Sequence, residues 1–318
     1  MTSPIPSLEV QLEAAKNAAL VIDAPELATI DVTGGDRQTW LNGLLTCDLA
    51  PLRAGQGTYG LAVTQKGRIL ADVVVMLDDD RVHVAVPRAV VAEVRASFER
   101  YLIMEDAEML PDDAPLAVAL VHGPRSAEVL AAARAAGARG ALVDRSGLGG
   151  AVLFVALDRA PEIAGVVDAT LASIGGARGD AAGWDAIRIA RAIPRFGVDF
   201  DASTYPQEAG LEKTAVSFSK GCYLGQEVVC MIEMRGHVKR RLVPVRLADG
   251  ADVAHASLPA IGTDVADAGG QKVGEVTSSA RGPGGAAMAL AMVKRASAEA
   301  GTRLRVGDRD ATVLAPEA

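Results

Sequence analysis

The densest run of chemically versatile side chains in the sequence is Lys220-Gly221-Cys222-Tyr223-Leu224-Gly225-Gln226-Glu227. A thiol attacks electrophiles or binds metal as its thiolate, and an ammonium two positions away would favour that form. The two glycines permit tight turns or the close approach of a ligand. Gln226 and Glu227 suit the start of a helix, where an acidic side chain meets the exposed N–H groups. From spacing alone, Cys222 reads either as a reactive thiol at a surface turn or as a small buried hydrophobe beside a solvated lysine. The glycines and Lys220 imply the first placement, with Cys222 partly accessible and Lys220 reaching solvent. Cys230 lies eight residues on. In a helix beginning near Glu227, the two sulfurs would sit about two turns apart, too far for one metal ion.

A second candidate is Asp72, which interrupts the apolar run Ile69–Leu77. From the residues alone it reads as an outward-facing polar position. Tyr59, after Gly57, is a core aromatic or a ring laid against a flat ligand. His237 is a switchable donor or a surface turn residue. Lys239, Arg240 and Arg241 form a basic cluster that can meet an anionic tail or simply face water. Gly282-Pro283-Gly284-Gly285 has no Lys-Ser/Thr after it, so it reads as a hairpin loop and not as a phosphate-binding loop.

These residues must be positioned by short alternating elements. Ala28–Val32, Tyr59–Val63, Ile69–Leu77, Val82–Val86, Leu116–Val121 and Val152–Leu157 read as strands. Gln38–Leu45, with Asp36 as its cap, Val90–Tyr101, the stretch from Pro124 to Ala136, Glu162–Ile174 and Gly183–Ala192 read as helices. After Gly236 the character changes. Arg241–Leu247, Thr263–Ala266, Lys272–Ser278, Ala287–Val293 and Arg303–Val306 are strands separated by Gly, Pro and Asp, which predicts a small antiparallel barrel of roughly 80 residues. The expected fold is therefore α+β: residues 1–236 as a body of two intertwined lobes, and residues 237–318 as a β-barrel.

Composition bounds the function. The 318 residues are 50% apolar but only 3% aromatic, so the cores must be built from Ala, Val and Leu. No window reaches the roughly 18 uncharged apolar residues of a membrane helix. No secretory signal is visible, and three cysteines without a C-x-x-C pair argue against a disulfide framework or a zinc site. A reducing cytoplasm is expected. A net charge of −8 with no long basic run argues against general nucleic-acid binding.

Lys-Gly-Cys-Tyr-x-Gly-Gln-Glu resembles the signature of the YgfZ-type folate-binding proteins, relatives of the glycine-cleavage aminomethyltransferase. The resemblance extends to Arg235-Gly236-His237, Lys239–Leu242, Pro206–Leu211, Gly34–Asp48, Gly55-Gln56-Gly57 and Lys66-Gly67-Arg68. It implies an aminomethyltransferase-like body holding tetrahydrofolate. Tyr59, Asp72, Glu208, Lys220, Tyr223, Gln226, Glu227 and Arg235 are the cofactor-binding candidates, and Cys222 and Asp72 the candidates for chemistry. No metal site is expected from the cysteine spacing, and the resemblance implies a role in iron–sulfur cluster assembly or repair, with assembly machinery or client proteins as partners and tRNA-modifying radical-SAM enzymes among those supported. The alternative is a tetrahydrofolate-dependent aminomethyltransferase, with Asp72 as its key carboxylate. Against it, the transferase's Arg-Leu-Glu segment is here Arg188-Ile189-Ala190, and its Val-Asn-Ala-x-Asn strand is Val84-Ala85-Val86-Pro87. The YgfZ pattern also commonly has an arginine a few residues after Gln-Glu, where Cys230-Met231 stands. A Cys222–His237 hydrolase ranks last, since no orienting Asp or Asn is evident.

Overall fold

A computed structural model of the chain describes residues 5–111, 115–236, 238–248 and 257–315. His237 lies outside the described residues. The chain forms two compact units, Met1–Asp180 with Lys213–Val228, and Ala181–Glu212 with Val229–Ala318.

In the first unit the elements run α1 (Leu8–Asn17), β1 (Leu20–Asp23), β2 (Leu27–Thr33), α2 (Arg37–Leu44), β3 (Gly57–Val63), β4 (Ile69–Leu77), β5 (Val82–Pro87), α3 (Val91–Glu99), β6 (Glu108–Met109), β7 (Leu116–His122), α4 (Ser126–Ala135), β8 (Arg139–Leu142), β9 (Gly150–Ala156), α5 (Ala160–Ile174) and β10 (Ala177–Arg178). They build two five-stranded sheets, β3-β4-β5-β2-β6 and β10-β1-β7-β9-β8. Every pairing is antiparallel except β1 with β10.

The hydrophobic pattern explains this layering. Trp40 and Leu41 of α2 and Phe98 of α3 pack with Ile30, Val32, Val73, Val75 and Val84 on one face of the first sheet. Val129 of α4 and Ile163 and Val167 of α5 pack with Val21, Val121 and Leu153 of the second sheet. All nine residues of β4 are buried. A strand covered on both faces loses the apolar–polar alternation, so β4 reads as continuous apolar sequence with one carboxylate in it. Ala71, Val73 and Val75 point into the α2–α3 core, which leaves Asp72 on the opposite face with Val74 and Met76. On that face the sheets meet: His83, paired with Met76, stacks on Phe154 of β9 at 5.3 Å between ring centroids.

Asp36 does not cap α2 as expected, since its side chain makes no capping bond. The loop before β6 takes it instead: the Asp106 amide donates to the Asp36 carboxylate at 2.9 Å, and the Gly35 amide to the Asp106 carboxylate at 2.9 Å.

The second unit holds α6 (Ala181–Ala190), α7 (Pro206–Ala209), most of α8 (Gln226–Arg235) and strands β11 (Arg240–Leu247), β12 (Asp264–Ala266), β13 (Lys272–Arg281), β14 (Ala287–Lys294), β15 (Arg303–Val306) and β16 (Arg309–Val313). The six strands close into a barrel in the order β11-β14-β13-β12-β15-β16, leaving no open sheet edge. Its interior is small and aliphatic, with Val245, Val276, Ala289, Ala291, Val293 and Leu304 among its residues. Gly282–Gly285 lies in the turn between the paired strands β13 and β14, the hairpin the sequence implied. Within this unit Arg188, 1% exposed, donates to Asp199 at 2.6 Å. Asp199 also accepts from Thr277 and Ser278, so a buried charged pair ties α6 to β13.

Candidate functional site

Asp72 is not an outward-facing residue. It is 8% exposed and belongs to a trio with Tyr59, also buried, and Arg145, whose side chain is 11% exposed. Its Oδ2 accepts the Tyr59 hydroxyl at 3.1 Å and an Arg145 Nη2 hydrogen at 3.2 Å. The Arg145 guanidinium also lies 4.3 Å from the centre of the Tyr59 ring, within reach of a cation–π attraction. The sheet sets this geometry. Tyr59 pairs with Val74 and Leu61 with Asp72, so Tyr59 and Asp72 are diagonal neighbours on one face.

Arg145 arrives from the turn between β8 and β9. That turn is wound around Asp144, whose carboxylate accepts the amides of Ser146 (2.8 Å), Gly147 (2.8 Å) and Gly149 (2.9 Å). Burial opposes the Arg145 charge, but Tyr59 and Asp72 more than offset it and its pKa is raised. Burial, reinforced by Asp72, pushes the Tyr59 phenol well above its ordinary value. Nearby, burial and then the Arg145 charge push His122 down to about 3, so this imidazole is neutral. Among the described residues, none donates to the second carboxylate oxygen of Asp72. The trio thus presents a fixed acceptor to which a donor-bearing ligand edge can bind. Sequence reasoning missed Arg145. Its one local signal is the Asp-x-Ser-Gly turn, Asp144 to Gly147, which fixes the backbone on either side of it.

The Lys220–Glu227 block forms a separate cluster in the same unit. Cys222 is exposed. Lys220 does not extend into solvent as expected; it is 9% exposed, because its aliphatic stem is covered and its ammonium finds acceptors inside. Nζ donates to the carbonyls of Asn42 (2.6 Å), Leu45 (2.8 Å) and Cys47 (2.6 Å). It also lies 5.3 Å from the centre of the ring of Tyr223, which is buried. Burial pulls the lysine down to about 8, with Cys47 and Asp48 acting in the opposite direction. Burial likewise pushes the Cys47 thiol up to about 12, which makes it inert at neutral pH.

Further bonds dock residues 215–224 on the end of α2 and the residues that follow it. The Ser217 amide donates to Thr46 O at 2.9 Å, the Leu224 amide to Gly43 O at 2.9 Å, and Thr46 Oγ1 to Ala215 O at 2.6 Å. Gly225 has φ +75°, and a Cβ there would meet Thr64 O at 2.4 Å, so glycine is required. Gly221 is different: a Cβ there would meet nothing within 4 Å.

The remaining sequence candidates are dispersed. Gln226 is half-buried and Glu227 exposed, both in the first turn of α8; Arg235 is exposed in its last turn. Glu208, in the second unit, is committed locally. Its carboxylate accepts the Tyr205 amide at 3.1 Å, closing the start of α7, and Arg240 Nε at 3.2 Å. Of the predicted residues, the structure brings together Tyr59 with Asp72, and Lys220 with Tyr223. Among the described residues no group of three or more His, Cys, Asp or Glu side chains can hold a metal ion, and no helix is long and apolar enough to cross a membrane.

Comparisons with known proteins follow this architecture. Residues 5–139 match the GCVT N-terminal domain, and residues 240–316 match the glycine cleavage T-protein C-terminal barrel domain. A protein of Natronomonas pharaonis described as a probable aminomethyltransferase is 29% identical, over 97% of this chain and 90% of its own. The tRNA-modifying protein YgfZ of Vibrio vulnificus is also 29% identical, over 68% of this chain and 66% of its own. The crystal structure of the glycine cleavage system aminomethyltransferase T from Bartonella henselae shares the fold, with a TM-score of 0.79 at 20% identity, covering 99% of this chain and 90% of that one. With the GCVT N-terminal domain and the glycine cleavage T-protein C-terminal barrel domain matched in that order, the chain belongs to the glycine cleavage T-protein superfamily.

Proposed function

We propose that the chain is a folate-binding accessory protein of the YgfZ type, serving iron–sulfur cluster assembly or repair, and that it does not carry out glycine-cleavage transfer. The observation that carries this reading is the Asp72 trio. One carboxylate oxygen is engaged by Tyr59 and Arg145, and the other accepts from none of the described residues. Such a group suits recognition of the N–H-bearing edge of a pterin better than removal of a proton. The neighbouring strand β5 supplies no amide side chains, since Val84, Ala85 and Val86 are all buried apolar residues. Ala190, at the end of α6, cannot supply the carboxylate that the transferase resemblance calls for. Cys222, exposed within the most specific motif of the chain, is the residue through which the accessory role would act.

The aminomethyltransferase reading is kept as the second because one observation favours it. The relative of that description aligns with 97% of the chain, against 68% for the YgfZ relative. One experiment separates the two. The protein is titrated with tetrahydrofolate while its melting temperature is followed, and is then given aminomethylated carrier protein and tetrahydrofolate. Saturation at about 100 times Kd stabilises by about 2.7 kcal/mol. A melting shift without turnover is the expected result. Methylene-tetrahydrofolate formation at about 1 s⁻¹ or faster would establish the transferase instead. No shift at millimolar ligand overturns both readings.

A further inference from the structure

The motif places a lysine two residues from a cysteine, a spacing that suggests a charge serving a thiolate. The geometry points elsewhere. We propose that Lys220 is a positioning residue: its ammonium fastens the loop that carries Cys222 to residues 42–47, where α2 ends, and does not act on the sulfur.

Three observations carry the inference. The ammonium has three N–H donors, and three carbonyls, those of Asn42, Leu45 and Cys47, accept at 2.6–2.8 Å. No donor is left over for a thiolate. The carboxylate that acts on the Lys220 charge is Asp48, which directly follows the receiving residues. Around this centre the same two segments are joined again by Ser217 to Thr46, Leu224 to Gly43 and Thr46 to Ala215. The docking bonds fall on both sides of Cys222, so the exposed thiol sits on a stretch held at each end. A lysine used this way must be long enough to reach three carbonyls converging on one point, a task for a compact ammonium and not for a planar guanidinium.

The inference rests on the reading of Cys222 as the working thiol, but its test does not. Wild type, Lys220→Met and Lys220→Arg are alkylated with iodoacetamide across pH 6–10, and modification of Cys222 is followed by peptide mass spectrometry. Amide exchange is measured over residues 42–47 and 215–224. In Lys220→Met, amide exchange is expected to rise about tenfold or more as the docked segments open, while the midpoint pH of Cys222 alkylation stays where it is in wild type. A midpoint raised by about one unit would show that the lysine charge favours the thiolate, and would overturn the proposal whatever the exchange does. Unchanged exchange overturns it as well. Lys220→Arg keeps a positive charge and is expected to exchange as fast as the Met variant; wild-type protection in the Arg variant would overturn the claim that the three-carbonyl geometry matters. Retained support of cluster enzymes by Cys222→Ser in the cell would sink the role of the thiol and leave these measurements untouched.

Discussion

Two largely covered cations organise the first unit, and they are paired in opposite ways. Arg145 is matched by a charge, the Asp72 carboxylate, with a phenol completing the set. Lys220 is matched by three neutral carbonyls. A charge pair leaves each partner dependent on the other, since removing one strands the second in a poorly solvating place. Carbonyls stranded by loss of a lysine are unsatisfied dipoles, which cost less. The first arrangement keeps a carboxylate oriented where a ligand can use it. The second shapes a backbone.

The contrast is sharpest in stability. Arg145→Met is expected to lower unfolding free energy by about 3–5 kcal/mol, by leaving Asp72 without its charged partner. Arg145→Met combined with Asp72→Asn should recover a large part of that loss. Urea denaturation of the single and double variants reads the coupling directly. Additive losses would mean that the two groups do not depend on each other, and the comparison would fail.

Acid should also distinguish the regions. His122 sits beside Arg145 with its pKa pushed down to about 3, from an ordinary value of 6.5. The unfolded chain therefore binds a proton that the native chain refuses between these values. Stability from this residue is complete above about pH 6.5 and falls as pH drops toward 3, with a limiting slope of about 1.4 kcal/mol per pH unit. The slope measured between pH 5 and 6 should be shallower in His122→Gln. Equal slopes would mean that burial, with the Arg145 charge behind it, does not hold His122 neutral.

The smallest effect is expected at Cys222. It is exposed, so Cys222→Ser should change stability by no more than about 0.5 kcal/mol. A loss of several kcal/mol would mean that the thiol packs as a structural hydrophobe, and that the two clusters differ less than their geometry suggests.

The sequence made one cluster far more legible than the other. Ile69–Leu77 has the bounds expected from its apolar run, because a doubly covered strand advertises itself by continuous hydrophobicity. The barrel strands were legible for a related reason: short β-branched runs cut by Gly, Pro and Asp. The strands Leu20–Asp23 and Arg139–Leu142 were not, because four residues carry too little period to stand out. The helix Leu8–Asn17 was missed as well, its buried side being only Gln11, Ala14 and Ala15. At the sites, Asp72 was visible as a charge in an apolar run, but nothing in its neighbourhood named Arg145, which arrives 73 positions later. Lys220 misled for the converse reason. Its nearest sequence neighbour of interest is Cys222, while its true partners are main-chain oxygens 173 to 178 positions earlier, which leave no trace in side-chain identity.

That separation has a consequence for how the chain is made. During synthesis residues 42–47 leave the ribosome long before Lys220 exists, and their three carbonyls must wait in water for a partner that follows the whole stretch Ala181–Glu212. Contacts this remote along the chain are late events in folding. The loop bearing Cys222 can therefore take its final form only after the N-terminal sheets have been assembled, and a nascent or truncated chain ending at Asp180 would display those sheets without a thiol to use.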